Sequence, residues 1–574
     1  MILYSNDESG IALYKQVENS IREKIEQGQW SLGSRLPTEE ELSRYFNVSR
    51  TTVRKAVDGM IEAGLLKRKQ GSGTYVVKAT YSRSSFNAQP SDTVCKYIYT
   101  PFIKQDLKYS YTNILRTFAA HILMLKRQKL IKASDAKKIL RFLLSLRDKH
   151  SDIIGTNPLN EDCFLNLEQL LTSNLGMELT SKALIGRSRN DMTPTMIRMS
   201  IRDGLITVLK KLEKLIGIFL DKAESNRGYI MTGYTHQRPG QPITLEYWFL
   251  AGAEALERDM ERLLDAFKRL NLSPLGACAL AGTSYNIDRR YTAKLLGFDG
   301  IITNALDAVS SRDFIPEIGA CFSGLGSTIA RLNQDLLLWS MDEVSYVRFS
   351  DSTSCCSTIM PQKKNPLSAE HIRSRTAHLS ALYIDIVMVL KGTGFSHSRD
   401  LFECMPPFYS QMEQMISILD LATDMIPGIR FNYSKMETDA TLNNSILTDI
   451  SEAIEKRENI PFRIIHNILA LAVEECRKRK KAEPELEDIL RISRKVCDRE
   501  LNITESEFEK FKDVKNSVML KKSEGSPSPW ACEKMEKSLR ETLSSYSFRL
   551  KTVNDQQKRS LDLMNAEAEA VMRE

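Results

Sequence analysis

Hydrophobic positions near the start of the chain recur at helical spacing and are separated by turn and capping signals. A first apolar helical pattern covers positions 11–21 and leads into a turn at Leu36 and Pro37. Thr38 followed three residues later by Glu41 is the signature of a capping box and predicts the start of a second helix, which stops near Asn47.

A third helix is predicted directly after this stop. Ser49 is its candidate N-cap, apolar residues recur at helical spacing over positions 53–61, and Gly64 is a C-terminal stop signal. Positions 65–77 read as two short strands around the Gly-containing turn at 70–73. Two helices joined by a tight turn and followed by a hairpin predict a winged helix-turn-helix.

The remainder of the chain is dominated by long helical patterns. Positions 79–108 are polar and irregular, which predicts a linker between a first domain at 1–78 and an all-helical domain at 109–574. A central bundle is expected at about 205–460 and a further helical part at about 461–574. Polar loops interrupt the helices at 186–191, 233–241, 286–290 and 350–365.

The charge distribution predicts a binding partner for the helix-turn-helix. Between positions 44 and 69, seven basic residues face only two acidic ones, although the whole chain carries only +7. The first turn of the second helix of such a motif faces base edges, and the glycines of a wing let the backbone approach DNA. We therefore expect double-stranded DNA to contact these residues: Arg35, Ser49, Arg50, Thr51, Thr52, Arg54, Lys69, Gly71 and Gly73.

The same stretch resembles a known family of regulators. The LP-[ST]-E-x-x-L opening at 36–42 and the GxGT wing at 71–74 are similar to the N-terminal domain of GntR-type transcription regulators. The alternative, a solvated basic hairpin of helices without function, explains the charge but not the agreement of helix spacing, wing and charge.

Composition narrows the class of protein. Apolar residues make up 42% of the chain and charged residues 27%, which is typical of globular domains. The ten cysteines show no CxxC pair and no Cys/His metal spacing, so buried thiols in a reducing compartment are expected. Neither a secretory signal nor an apolar run long enough for a membrane span is visible, and a cytoplasmic location is expected.

The loop at 350–365 contains the residues needed to abstract a proton next to a carboxylate. Such a step leaves charge on the carboxylate, so it needs cationic and N–H donors beside a base. Ser357, Lys363 and Asn365 provide these groups, with Asn365 as expected N-cap of the following helix and Pro366 at its first position. A serine is a poor base unless its loop closes into a dry, electropositive pocket, which predicts a mobile loop.

Two further polar segments complete a possible site. His236, in the segment at 233–236, is one of only seven histidines, and Glu370 could orient its imidazole. The segment at 186–191 offers donors for a second carboxylate, and two carboxylates fit a succinyl group. Taken one at a time, each of these segments could equally be a solvated turn, a structural loop or a charged helix start.

Five motifs in order resemble argininosuccinate lyase, within the fumarase and aspartase superfamily. They are GRSRND at 186–191, GYTHQRPGQP at 233–242, PLGACALAGTSYNIDRR at 274–290 with LDAVSSRDF at 306–314, STIMPQKKNP at 357–366, and VKNSVMLKKSEGSPSP at 514–529. The resemblance covers the chain from about residue 109 to the end. It implies a large all-α helical-bundle domain and a homotetramer whose active sites each draw motifs from three chains, with no metal or organic cofactor.

The resemblance also implies roles for individual residues. Ser357 would be the base, Lys363 and Asn365 would stabilise the aci-carboxylate, and His236 with Glu370 would assist proton handling. The small-molecule substrate, an N-substituted aspartate or related amino acid, would be held through its carboxylates by Ser188, Arg189, Asn190, Thr235 and Gln241. The reaction would release fumarate and an amine, arginine or another amino compound.

Several positions depart from the family pattern. Cys356 stands where the family has a loop Gly, which removes a flexible hinge. In the stretch that contacts the amino-acid end of argininosuccinate, the family's Tyr, Gln and Lys are His397, Phe402 and Met405, and three polar positions elsewhere are Ile114, Phe118 and Leu184. Lost polar contacts redirect specificity, so a less polar amine is expected.

Two functions of different kind remain open at this point. The chain is either an active carbon–nitrogen lyase with a DNA-binding module, or a transcription regulator whose lyase-like domain senses an effector without catalysis. Retention of a candidate base favours the first, and loss of Gly at position 356 favours the second. Cleavage of argininosuccinate itself is a further reading, disfavoured by Phe402 and Met405.

Overall fold

The computed structural model describes residues 12–26, 29–30, 33–62, 65–76, 90–147, 157–481 and 483–574. Within these ranges the chain is mainly α-helical, as the sequence predicts. Contacts divide it into two compact units, the first formed by Met1–Ser200, Leu272–Val309 and Lys558–Glu574, the second by Ile201–Asn271 and Ser310–Gln557. Among the described residues no helix is long and apolar enough to cross a membrane.

The N-terminal domain is a winged helix-turn-helix. It consists of α1 (Leu13–Glu26), α2 (Glu39–Phe46), α3 (Arg50–Glu62), β1 (Leu66–Lys69) and β2 (Gly73–Val76). Thr38 and Glu41 form the predicted capping box, and Asn47 ends α2 in the left-handed conformation. Its core joins apolar residues of all three helices and both strands, including Ile21, Phe46 and Val53. Ile11, Gly64 and Val77, which bound the predicted elements, lie outside the described residues.

The prediction of an irregular linker at positions 79–108 is wrong for the second half of this range, which is helical. Residues 79–89 lie outside the described part of the chain. Ser91 is the N-cap of a helical segment, and its hydroxyl accepts from the backbone N–H of Val94 at 3.3 Å. The segment runs through α4 (Asp92–Val94), a π-helical stretch (Cys95–Tyr99) and α5 (Thr100–Arg127). Its first turns expose Tyr97 and Ile98. Of residues 91–100 only Cys95 is buried, so these first turns lack the continuous buried apolar stripe that marks a helix in sequence.

The remaining elements of the first unit surround α5 with short helices. These are α6 (Ala133–Arg147), α7 (Cys163–Leu175), α8 (Met177–Ala183), the start of α9 (Arg189–Ser225), β5 (Leu272–Ser273), α11 (Arg289–Leu295), β6 (Gly300–Ile301), α12 (Ala305–Ser310) and the end of α23 (Pro529–Arg573). The parallel pair β5–β6 and the buried residues around Ala308 form a small separate core.

The second unit is built on a helical bundle. Its elements are the rest of α9, β3 (Ile230–Thr235), β4 (Arg238–Thr244), α10 (Leu245–Leu270), α13 (Phe314–Trp339), β7 (Val347–Arg348), β8 (Cys355–Cys356), β9 (Lys364–Asn365), α14 (Leu367–Leu390), α15 (Asp400–Glu403), α16 (Met405–Met425), β10 (Arg430–Phe431), α17 (Tyr433–Leu442), α18 (Leu447–Glu458), α19 (Phe462–Lys478), α20 (Leu486–Cys497), α21 (Glu505–Lys512), α22 (Val514–Met519) and most of α23.

The centre of the bundle is the packing of α13 against α10, α14 and α16. Gly326 lets α13 and α14 approach closely, because a Cβ atom there would lie 2.6 Å from Leu379 Cδ1. A second core joins α18 to α22 around Ile454, Ile489 and Phe508. Three antiparallel pairs, β3–β4, β7–β10 and β8–β9, lie in the connections between these helices; β3–β4 carries the motif at 233–242, and β8–β9 encloses most of the motif at 357–366.

Candidate active site and nucleic-acid interface

The second helix of the helix-turn-helix, α3, presents its first turn to solvent. The Ser49 hydroxyl accepts from the backbone N–H of Thr52 at 3.1 Å and lies 2.8 Å from the Thr52 hydroxyl, so Ser49 caps α3 as predicted. Arg50 and Thr51 are exposed, and no described residue forms a side-chain hydrogen bond or ion pair with either of them. These two side chains are therefore available to base edges.

Arg54, the fourth predicted contact on α3, forms ion pairs within the protein. Its guanidinium lies 3.0 Å from the Glu39 carboxylate, which also pairs with Arg68 at 3.0 Å, and Arg68 pairs with Asp58 at the same distance. All of these groups are at least partly exposed. DNA must compete with Glu39 for both arginines, a feature that the sequence pattern did not indicate.

The wing is tied to the segment before α2. The Gly33 N–H donates to the Val76 carbonyl at 2.8 Å, and the Val76 N–H donates to the Ser34 carbonyl at 3.0 Å. Arg35 and Tyr75 form an isolated antiparallel β-bridge. Gly71 and Gly73 have positive φ (71° and 115°), and a Cβ at position 73 would lie 2.6 Å from Arg35 Nε. The predicted contacts Arg35, Lys69 and Gly71 thus lie on one small exposed sheet.

In the second unit, the predicted catalytic loop is closed at its base by the pair β8–β9. Cys355 is opposite Asn365 and Cys356 opposite Lys364. Between them, the Ser357 hydroxyl oxygen accepts from the backbone N–H groups of Met360 at 2.9 Å and Ile359 at 3.3 Å. Two N–H donors on one oxygen stabilise negative charge there, which a serine base requires.

Lys363 and Lys364, although adjacent, have different environments. Lys364 pairs with Asp351 at 2.6 Å. Lys363 is exposed, and no described residue pairs with its ammonium group. The first lysine is therefore available to an anionic ligand, whereas the second fixes the loop.

The prediction that Asn365 caps the following helix is wrong. α14 begins at Leu367 with Pro366 in the cap position and without a side-chain cap bond. The Asn365 amide instead donates to Cys355 Sγ at 3.7 Å, because the β8–β9 pair places the two side chains together. Asn365 thus keeps its place in the loop through tertiary pairing.

Glu370 lies in the first turn of α14 and lines an open cavity of about 1300 Å³. Lys363 and Asn365 line the same cavity, and Arg348, Arg373 and Arg430 add positive charge. The three candidate residues Lys363, Asn365 and Glu370 thus line one basic cavity that suits an anionic ligand.

His236 lies at the tip of the β3–β4 hairpin. His236 and Gln237 both have left-handed φ (52° and 59°) and form the two-residue turn between Thr235 and Arg238. Thr235, His236 and Gln241 are exposed. Within the described single chain, no side-chain hydrogen bond joins His236 to Glu370, so the predicted pairing is not made in one chain.

In the first unit, the segment at 186–191 is only half a loop, because α9 already begins at Arg189. Asp191 fixes it: one carboxylate oxygen accepts from Ser188 N at 3.0 Å, the other from Gly276 N at 2.9 Å and Cys278 N at 2.8 Å. Burial raises the pKa of Asp191 to about 6, against the effect of these three N–H donors. Sequence reasoning missed this anchor, because two of its three partners, Gly276 and Cys278, lie in another motif.

The predicted carboxylate binders of this segment differ in availability. Arg189 Nη1 pairs with Asp162 at 2.8 Å and Glu161 at 3.1 Å. Asn190 donates to the Ala279 carbonyl at 3.1 Å, and the Ser188 hydroxyl accepts from Asn190 N at 3.2 Å. Two acidic side chains already occupy Nη1 of Arg189, whereas no acidic side chain pairs with Ser188 or Asn190, so these two are the less hindered donors.

The positions that depart from the family pattern are partly core residues. Ile114 and Phe118 are fully buried, and the buried Arg187 guanidinium lies 3.8 Å from the Phe118 ring centroid. Burial lowers the pKa of Arg187 to about 10. Met405 is 1% exposed, so its assignment to the amine-binding surface is wrong.

Two residues of that surface do pack together. The His397 and Phe402 rings meet edge to face with centroids 5.7 Å apart, and the Arg399 guanidinium lies 5.2 Å from the Phe402 centroid. Both rings are half-buried. An aromatic patch therefore lies at positions where the argininosuccinate lyase pattern has polar side chains.

Among the described residues, no cluster of three or more His, Cys, Asp or Glu side chains could hold a metal ion. All cysteines lie within the described ranges, and no disulfide joins them.

Comparison with known proteins identifies both parts of the chain. Residues 107–379 match the Lyase family model, and residues 13–76 match the family of bacterial regulatory proteins called gntR. Argininosuccinate lyase 1 of Shouchella clausii is 30% identical over 459 residues, which cover 79% of this chain and 92% of that protein. Argininosuccinate lyase of Methanocaldococcus jannaschii is 33% identical over 449 residues, 78% of this chain and 91% of that protein.

Solved structures agree at the level of the fold. EDDS lyase in complex with formate has a TM-score of 0.77 at 23% identity, covering 85% of this chain and 97% of that one. A class II fumarase from Schistosoma mansoni has a TM-score of 0.59 at 16% identity, covering 78% of this chain and 98% of that one. Together with the identities above, these matches show that the chain belongs to the argininosuccinate lyase family and carries a gntR-type regulatory domain ahead of its lyase part.

Proposed function

We propose that the protein eliminates an amine from an N-substituted aspartate to give fumarate, and that its winged helix binds double-stranded DNA. Membership of the lyase family supports the reaction class. The exposed Arg50 and Thr51 at the start of α3 support binding of the recognition helix in a major groove.

The loop between β8 and β9 is the observation that carries the lyase proposal. It combines the Ser357 oxygen and its two N–H donors with the Asn365 amide and the Lys363 ammonium, which has no ion-pair partner among the described residues. In the proposed reaction Ser357 removes the proton from the carbon next to a substrate carboxylate. The electron pair moves onto that carboxylate, where Lys363 and Asn365 stabilise the aci-form.

The second half of the reaction breaks the carbon–nitrogen bond. The electron pair returns from the aci-carboxylate to form the double bond of fumarate, and the pair of the broken bond leaves with nitrogen, which takes up a proton. We assign proton handling to His236 with Glu370, and binding of the succinyl carboxylates to Ser188, Asn190 and Thr235. Arg189 and Gln241 are assigned to the rim of this binding surface.

We further propose a homotetramer. His236 and Glu370 are both exposed, and neither side chain has a hydrogen-bond partner among the described residues of one chain. If the two act together, as in the family, copies of the chain must bring them together. Exposed apolar residues on α14, Ile384 at 57% and Met388 at 56%, support burial of this helix against another copy.

The aromatic pair His397 and Phe402 bears on the amine part of the substrate. The half-buried pair His397 and Phe402 supports an amine with an apolar or aromatic portion over the arginine moiety. Met405 no longer supports that view because it is buried.

The decisive experiment measures fumarate by its ultraviolet absorbance after mixing the purified protein with argininosuccinate and a panel of N-substituted aspartates. We expect fumarate from at least one compound, and roughly a hundredfold less from Ser357→Ala. Ser417→Ala is the matched control, because its hydroxyl donates to the Gln414 carbonyl at 2.8 Å on α16 and does not line the cavity. Equal rates in Ser357→Ala and wild type would refute the assignment of the base.

The second candidate function is a regulator whose lyase domain binds an effector without catalysis. Cys356 favours it, because a residue with a side chain stands at the base of the loop and takes part in the β8–β9 pair. This function predicts no fumarate from any compound of the panel, together with a compound-dependent rise in unfolding temperature and a change in DNA affinity.

A further inference from the structure

The hairpin that carries His236 contacts a tyrosine, Tyr346, that lies outside the five motifs of the lyase family. Tyr234, two residues before His236, places its hydroxyl 3.3 Å from the hydroxyl of Tyr346. The Asp439 carboxylate, which pairs with Lys435 at 2.7 Å, lies near enough to Tyr346 to raise the pKa of its hydroxyl. All four residues belong to the second unit.

Each tyrosine hydroxyl can donate and accept, so either one can be the donor in the bond between Tyr234 and Tyr346. Tyr346 is 1% exposed, and burial together with Tyr234 and Asp439 raises its pKa, so its proton stays in place.

Tyr346 itself has a fixed backbone. Its N–H donates to the Trp339 carbonyl and its carbonyl accepts from Asn432, both at 2.9 Å. Asn432 is also the N-cap of α17. The Tyr346 hydroxyl is therefore supported by both the end of α13 and the start of α17.

The hairpin needs such support near its tip. Its register shifts between Thr232 and Tyr234, and the Thr232 hydroxyl, on the base side of the shift, accepts from Asn443 at 2.8 Å. Beyond the shift, Thr235 and His236 are exposed, and His236 adopts a left-handed backbone conformation. On this part of β3, the Tyr234 hydroxyl forms the only side-chain hydrogen bond among the described residues.

We propose that Tyr346 is a positioning residue that holds the hairpin so that Thr235 and His236 face the substrate. This role rests on the proposed lyase function only for its effect on catalysis, since the hydrogen bond and its effect on the hairpin exist without substrate. Tyr346 also lies directly before β7 and eleven positions before Ser357. Its side chain therefore connects the segment that leads into the loop of Ser357 with the hairpin of His236.

The test compares Tyr346→Phe and Tyr234→Phe, each of which removes one hydroxyl, with Tyr546→Phe as the control. Tyr546 is also buried and bonds a carboxylate, Glu257, at 2.5 Å, but it lies on α23. Hydrogen exchange of the full-length protein is measured by mass spectrometry over residues 230–244. We expect roughly fivefold faster exchange there in both hairpin variants, the loss of one neutral hydrogen bond, and no change in Tyr546→Phe.

Kinetics then separates positioning from general stability. If the wild type releases fumarate, both variants should lower kcat several-fold with little change in KM, and the double variant should be no worse than either single one, since all three remove the same bond. Unchanged exchange at 230–244 overturns the proposal, as does unchanged kcat in an active enzyme. A wild type that releases no fumarate refutes the lyase function instead, and the exchange result still decides whether Tyr346 holds the hairpin.

Discussion

Replacing Asp191 by an asparagine tests whether burial or hydrogen bonding governs the anchor of the segment at 186–191. The carboxylate is fully buried and accepts from three backbone N–H groups. Burial disfavours the charged form and the N–H donors favour it, and the balance raises the pKa from 3.8 to about 6. A pKa raised by this amount is equivalent to about 3 kcal/mol in the free energy of unfolding.

The sign of the pH dependence follows directly. Because the folded protein binds this proton more tightly than the unfolded chain, the stabilisation is complete below the unfolded pKa and is lost as the pH rises through about 6. The amide side chain of the Asp191→Asn variant does not titrate. The free energy of unfolding of wild type minus that of Asp191→Asn should therefore fall by about 2 kcal/mol from about pH 4.5 to about pH 8.

Urea unfolding followed by circular dichroism at a series of pH values measures this difference. Asp288→Asn makes the same change of charge at the cap of α11 in the same unit and serves as the reference. A difference curve that rises with pH would refute the reasoning, because it would mean that the three N–H bonds outweigh burial and hold Asp191 ionised. A flat curve would show that the two effects cancel.

Three further substitutions test other features. Glu39→Gln should tighten DNA binding roughly three- to tenfold in a fluorescence anisotropy titration, because it releases Arg54 and removes one of the two carboxylates paired with Arg68, which keeps Asp58; weaker binding would mean that Glu39 orients Arg54 for DNA. Gly233→Ala should destabilise the protein by roughly 1–3 kcal/mol in thermal unfolding, because its Cβ would lie 2.9 Å from the Gln241 carbonyl. Cys356→Gly should raise kcat by restoring a hinge, and an unchanged kcat would show that the loop closes without one.

Local signals were predicted well because their partners are near in sequence. The capping box of α2 and the cap of α3 depend on residues three positions apart, and both are formed. The cap at Asn365 failed because a partner ten positions away, Cys355, competes for the same side chain. The helix at 92–108 was missed because its first turns are largely exposed and lack an apolar stripe.

The site was predicted by residue but not by environment. The motif singles out Lys363, but only the fold shows that the neighbouring Lys364 is paired with Asp351 and that Lys363 has no ion-pair partner among the described residues. Likewise, nothing near Arg189 in sequence reveals that Asp162 occupies its guanidinium from 27 positions away. Long-range pairing of charges depends on how helices pack, which a single sequence does not encode in a readable pattern.

The Asp191 anchor also limits how this chain could be recombined with a relative. Its carboxylate joins Ser188 to Gly276 and Cys278, and the acid and these donors are 85 and 87 positions apart in the chain. A chimaera with a crossover anywhere between these two segments would take the acid from one parent and the backbone donors from the other. Crossovers outside 186–278 keep the pair together, so chimaeras built to exchange amine specificity should carry both segments as one block.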